Sequence, residues 1–325
     1  MLMKLSVGQL SPPGARGRLS ILIFHRVLPA MDPLFPTEVD TRSFDRICGW
    51  LKDWFNVLPL DRAVRQLAAG KLPARAAAIT FDDGYADNHG LALPILRQHG
   101  LTATFFIATG FLDGGRMWND TLVESVRRTE LPVLDFSGLG LPGEPLGTFA
   151  MTSPEARRTA IAALIDRAKY LTTEARLGLV AALAEQAKVQ LPNDLMMRTD
   201  QVLALHRAGM QIGAHTVSHP ILARLDDATA RAQMSDSRDQ LQQLLGAPVP
   251  LFAYPNGRPG TDYNARTVAL AQALGFEAAV TTGWGAARQG HNLYELPRFT
   301  PWDRSRARFG ARLLQNLWNA RRDPG

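Results

Sequence analysis

The chain has 325 residues, of which 46% are hydrophobic and 20% charged, and a formal net charge of +6. This balance excludes a disordered chain, and the length allows one large α/β domain or two smaller ones with a core that needs no staples. The single cysteine, Cys48, excludes an internal disulfide and any cysteine-based zinc cluster.

The opening MLMKLSVGQLSPPGARGR carries basic residues but no long apolar run and no A-x-A cleavage site, so the chain reads as cytoplasmic. The run ILIF is too short to span a bilayer. SILIFHRVL (Ser20 to Leu28) is the first expected strand, and SFDRICGWLKDWF the helix after it. ARAAAITFDD is the second strand. HGLALPILRQHG follows as a helix closed by Gly100. TATFFIATG, rich in β-branched and aromatic residues, is the third strand. Residues 112–199 then leave the alternation: a Gly/Pro-rich piece, FSGLGLPGEPLG, precedes two Ala- and Leu-rich helical stretches. This segment is expected to be a helical insertion within a single domain spanning 1–325, packed on its rim. After it, QVLALHRAGM (helix), MQIGAHT (strand), a long helix from Asp226 to Leu245, VPLFAYP (strand), DYNARTVALAQALG (helix), FEAAVTT (strand) and YELPRFT (strand) restore the rhythm. Alternating strands and helices specify a parallel sheet with helices outside it, open or closed into a barrel.

Three short segments carry chemistry. TFDDG (Thr80 to Gly84) ends a buried strand with two carboxylates, Asp82 and Asp83. Catalytic groups collect at strand C-termini in parallel α/β folds, and a turn at Gly84 can re-aim one carboxylate. One can then bind a metal while the other stays free as a base; the alternative is a helix N-cap. HTVSH places His215 and His219 four residues apart at another strand end, a spacing at which two imidazoles can converge on one ion. Thr216 stands where a zinc peptidase's Glu would be, so H-E-x-x-H is not met. FAYPNG (Phe252 to Gly257) is a strand end with a proline-fixed turn, whose backbone N–H groups can face an oxyanion or merely close a β-turn.

In this order, TFDDG, HTVSH and FAYPNG resemble the polysaccharide deacetylases, and ATFFIATG and GMQIGAHTVSHP extend the resemblance over Ile21 to about Leu112 and Met196 to Thr300. The resemblance implies a distorted parallel (β/α) barrel of about seven strands. It implies Asp82 as catalytic base, and Asp83, His215 and His219 as ligands of a divalent metal, usually zinc. The turn Tyr254, Pro255 and Asn256 would lie against the substrate and its oxyanion. The reaction implied is hydrolysis of an N-acetyl group on a sugar. The partner is then an N-acetylated polysaccharide or lipid-linked glycan, and not nucleic acid.

The sequence departs from that family at several points. The third motif usually has Arg two residues before Pro and Tyr after it; here Ala253 and Asn256 stand there. Arg298 in LPRF is the candidate partner of the base, against a surface arginine. No Leu-x-His follows Trp284, so His25 in ILIFHRVLP is the candidate acid, against a satisfied core histidine. Trp118 in RMWND is a candidate sugar platform, against a core anchor for the insertion. These departures keep a second function open, a catalytically impaired barrel that binds glycan or a biosynthetic partner. Last, residues 303–325 form a basic amphipathic helix. Phe309, Leu313, Leu314, Leu317 and Trp318 share a face, and arginines including Arg321 and Arg322 crowd the rest. Such a helix can lie on anionic lipid at the inner membrane face or dock on the barrel.

Overall fold

The computed structural model describes residues 2–140, 143–301 and 303–322, with residues 321 and 322 described in backbone only. The chain divides into two compact units. The first comprises residues 1–30, 39–113 and 197–325; the second comprises 31–38 and 114–196.

The first unit is built on seven parallel strands that neighbour one another in chain order: β1 (Arg18–Phe24), β2 (Ala76–Phe81), β3 (Thr104–Ile107), β4 (Gln211–Ala214), β5 (Leu251–Ala253), β6 (Ala278–Trp284) and β7 (Leu296–Arg298). Phe299, one residue past β7, closes the ring. It pairs in parallel with Leu22, donating its N–H to the Ile21 carbonyl (2.7 Å) and accepting the Ile23 N–H (3.1 Å). The seven expected strands are these seven, with ends displaced by a few residues; β1 stops at Phe24, before His25.

Period-two alternation sorts the strand residues into two cores. Leu19, Ile21, Ala76, Ala78, Phe106, Ala253, Val280 and Leu296 face the barrel interior, and Leu60, Ala63, Val64 and Leu67 of helix α3 (Leu60–Ala68) complete that cluster. Leu22, Phe24, Ile79, Phe81, Phe105, Ile212 and Phe252 face the outer helices. Alanines on β2 keep the interior narrow, and Phe106 occupies it against Gly213, where a Cβ would run into the ring. Gly213→Ala is therefore expected to destabilise by about 1–3 kcal/mol through overpacking, read as a lower urea midpoint at unchanged slope. An unchanged midpoint would show that Phe106 can yield.

Among the outer helices of this unit, Leu2–Leu10 (α1) and Thr41–Trp54 (α2) were not both legible: α1, like α3, has no counterpart in the sequence reading. The helix Arg306–Arg322 buries Phe309, Leu313 and Leu317 completely in the outer core. Of the two readings of this helix, docking on the barrel holds for Phe309, Leu313 and Leu317, while Trp318 of the same face stays exposed. Arg306 pairs with Asp53 and Arg312 with Asp303, both at 2.9 Å. The side chains of residues 321 and 322, and residues 323–325, lie outside the described residues. Among those described, no helix is long and apolar enough to cross a membrane.

The second unit contains the helices Trp118–Arg128, Pro154–Ala168 and Thr173–Ala187 and an antiparallel hairpin of Val133–Asp135 with Thr148–Ala150. It has its own core around Leu122, Leu134, Phe136, Leu164 and Leu183. Ser153 and Thr172 cap the second and third of these helices with their hydroxyls. Residues 31–38 join this unit, anchored by Asp32, whose carboxylate takes two bonds from Arg127 (3.0 and 2.6 Å). The sequence reading had placed the insertion at 112–199 without this earlier segment.

Candidate active site

The loops that follow the C-terminal ends of β1, β2, β4 and β5, together with Arg298 at the end of β7, bring the chemistry of the first unit together. Asp82 is the next residue inward after Ala78 and Thr80, so alternation aims it into the barrel. Arg298 meets it there. This arginine is 1% exposed, and its two terminal nitrogens each donate to one oxygen of Asp82 at 2.7 Å. Its Nε donates to the Thr281 carbonyl (2.7 Å) and its Nη1 also reaches Thr80 Oγ1 (3.2 Å). A two-pronged contact of this kind fixes both partners in plane. Burial alone would raise the Asp82 pKa; the Arg298 charge and hydrogen bonds, helped by His215 and His25, hold it below the usual carboxylate range.

Asp83 leaves the alternation: its backbone is left-handed (φ 77°), followed by Gly84 at φ 92°. Thr216 (φ 65°), His219 (φ 53°) and Asn256 (φ 59°) share this disfavoured region. Four of the seven described non-glycine residues with positive φ thus lie in the three motif segments, and such strain persists where the surroundings over-determine it.

The result is a tight cluster. Ligand-type atoms of Asp83, His215 and His219 all lie within 4.8 Å of one another. Asp83 Oδ1 is 3.3 Å from His215 Nε2 and 3.4 Å from His219 Nε2. Two ligands about 2.0–2.1 Å from one tetrahedral ion are themselves separated by roughly 3.4 Å, so the trio fits a small divalent cation. The second test is hydrogen bonding. His215 Nδ1 donates to the Ala253 carbonyl (2.7 Å), which leaves Nε2 as the lone-pair nitrogen. That buried Nε2 has no hydrogen-bond partner among the described residues. Burial lowers the His219 pKa to about 4, keeping it neutral, while the Asp83 and Asp82 carboxylates outweigh burial at His215 and raise it. Burial acts to raise Asp83 too, but the neighbouring imidazoles, His215 first and then His219 and His25, pull it far below the ordinary range. Thr216 Oγ1 accepts the His219 N–H, and Gln233 Oε1 accepts the N–H groups of Val217 and Ser218, so the turn between the histidines is held at both ends.

The Tyr254–Gly257 turn divides in two. Tyr254 N–H is used by the Val280 carbonyl, and its ring packs outward on Tyr263 (4.3 Å between centroids) and edge-on against Phe252. Tyr254 therefore does not face substrate, contrary to the expectation, because alternation after inward Ala253 turns it to the outer core. Pro255 and Gly257 close a tight turn (Gly257 N–H to Pro255 carbonyl, 2.7 Å), and Thr282 on β6 donates to the Asn256 carbonyl (2.8 Å). The Asn256 N–H has no backbone or side-chain acceptor among the described residues.

His25, just past β1, is exposed rather than buried, and its charge acts on Asp82, Asp83 and His219. It is not a core histidine. Trp118 belongs to the second unit, where its ring joins the hydrophobic core and Arg176 lies over it at 5.0 Å. This half-buried packing fits the core-anchor reading. Sequence reasoning gave no role to Thr80, although it opens TFDDG, and missed Thr281, Gln233 and Thr282, which no motif marks.

The sequence pattern of the polysaccharide deacetylase family matches residues 69–130 and 151–279, more than half of the chain. The chain belongs to the polysaccharide deacetylase family. Membership places it among hydrolases that deacetylate polysaccharides. YxkH of Bacillus subtilis is 23% identical over 283 residues, 86% of this chain and 70% of YxkH. Two solved structures share the fold. The Streptococcus pyogenes deacetylase PplD, in complex with acetate, superposes with a TM-score of 0.61 at 22% identity, covering 92% of this chain and 98% of PplD. IcaB from Ammonifex degensii gives 0.59 at 18%, covering 94% and 98%. This deacetylase therefore has the nearly closed parallel barrel of its structural neighbours.

Proposed function

We propose that this deacetylase is a metal-dependent enzyme that removes the N-acetyl group from a sugar of a polysaccharide or lipid-linked glycan intermediate, in the cytoplasm. The observation that carries the reading is the Asp82–Arg298 pair set beside the Asp83, His215 and His219 cluster. A metal-binding trio alone could be structural; a neighbouring carboxylate held ionised is what a hydrolytic base requires.

A divalent ion, most readily zinc, held by Asp83, His215 and His219 would supply Lewis acidity, bringing the pKa of a water toward about 7 and polarising the acetyl carbonyl. Asp82 accepts the proton from the attacking water as its oxygen bonds to the carbonyl carbon. The Asn256 N–H donates to the oxygen that gains charge, with Pro255 fixing the turn. His25 then gives a proton to the sugar nitrogen as the C–N bond breaks, leaving acetate and a free amine. Arg298 keeps Asp82 oriented and charged throughout.

The alternative, a glycan-binding barrel without turnover, rests on the missing arginine at position 253, the missing tyrosine at position 256 and the missing Leu-x-His. Arg298 supplies the charge from the other end of the chain, which answers the first of these. The test is elemental analysis combined with acetate release from N-acetylglucosamine oligomers or lipid-linked sugar. The wild type is expected to hold about one divalent ion and release acetate; His215→Ala should lose both, since three protein ligands are the minimum of a catalytic site. Protein that binds no divalent ion under any loading condition would return the binding-module reading.

A further inference from the structure

His25 leaves the sheet unsupported. β1 ends at Phe24, and the imidazole is exposed. A proton donor must nonetheless sit within hydrogen-bond reach of the leaving nitrogen, and a displacement of about 1 Å can cost roughly 10²-fold in rate. The corner His25–Val27 is tied to the turn that follows the paired aspartates. Asn88 Nδ2 donates to the His25 carbonyl (2.8 Å) and to Asp87 Oδ1 (3.1 Å). The same Asp87 Oδ1 accepts the Val27 N–H (3.1 Å), and Asp87 Oδ2 accepts from Arg26 Nε (2.8 Å). The Arg26 guanidinium also lies over the Tyr85 ring, 4.6 Å from its centroid. Each of the three corner residues is thus bonded to the adjacent pair Asp87 and Asn88.

Both residues of the pair are placed for this and for little else. Asn88 is fully buried, and the Asp87 side chain is 9% exposed. Asn88 opens a π-helical turn, Asn88–Ala92, a local widening that recurs at functional sites. Neither residue bonds to Asp82, Asp83, His215 or His219 among the described residues.

We infer that Asp87 and Asn88 are positioning residues that clamp the His25–Val27 corner so that His25 can deliver its proton to the leaving amine. The inference rests on the donor role of His25 proposed above. A merely structural pair would affect turnover whether or not His25 is present, so a double-mutant cycle separates the two. Asn88→Ala is expected to lower kcat about tenfold to a hundredfold at unchanged KM and metal content, and to have no further effect in a His25→Ala background. The second readout needs no activity. Backbone order parameters of residues 25–27 should fall from about 0.85 to below about 0.6 in Asn88→Ala. Asp87→Asn, which keeps an acceptor for Val27 but loses the charge facing Arg26, should move both readouts the same way and serves if Asn88→Ala does not fold. A corner that stays rigid in the variants, or an equal loss of kcat in both backgrounds, overturns the clamp alone. Full turnover in His25→Ala overturns the donor role and the clamp with it.

Discussion

Asp82→Asn is expected to lower the rate of acetate release by about 10³-fold while the protein still holds its divalent ion, because general-base transfer contributes roughly 10²–10⁴-fold. The substitution is nearly isosteric. The amide oxygen can still accept from Arg298, whose guanidinium remains anchored on the Thr281 carbonyl and Thr80. What the amide cannot do is take a proton from water. Because the proposed metal ligands are Asp83, His215 and His219, the loss should appear in kcat and not in metal stoichiometry. Turnover within a few-fold of wild type would remove Asp82 from the mechanism.

Arg298→Met is expected to be the most destabilising single change, about 3–5 kcal/mol at neutral pH, since it leaves a buried carboxylate without its countercharge. The pH dependence follows from the direction of the Asp82 shift. In the wild type its pKa lies below the usual carboxylate value, so the ion pair contributes stability above that value and loses it as pH falls through the native pKa. In the variant, burial is no longer opposed by Arg298 and the native pKa rises. Asp82 is then favoured protonated, and folding is penalised as pH rises. The stability gap between the two proteins should therefore be wide at pH 7 and narrow through the carboxylate range near about pH 4. Urea midpoints at the two pH values measure it, and a gap that does not change with pH would mean that Arg298 acts through packing instead of charge.

Much of this arrangement was legible before any coordinates. The seven strands announced themselves because parallel strands buried on both faces are continuous apolar runs, as in AAAITF and TATFFI. Asp82, Asp83, His215 and His219 stood out because charged and imidazole groups at the ends of such runs have no packing role. Alternation also held information that was not used: inward Ala253 implies outward Tyr254. Other features had no local signal. The fork of Arg298 onto Asp82 joins residues 216 apart in sequence and exists only because the ring closes. The left-handed backbone at Asp83 and His219 is imposed by neighbours, against the preference of those residue types. Helix α3 plugs the barrel with a stripe of only four buried side chains, too short to separate from a loop by periodicity.

The ring closure at Phe299 also has a bearing on biosynthesis. As the polypeptide emerges from the ribosome, Asp82 and the imidazoles of His215 and His219 are made well before Arg298. Until that final strand is released, the nascent barrel keeps an open seam between β1 and β6 and Asp82 lacks its arginine. Completion of the wall and pairing of Asp82 are then one event, so a chain that stalls or is cut before Leu296 carries Asp83, His215 and His219 and yet leaves Asp82 without Arg298.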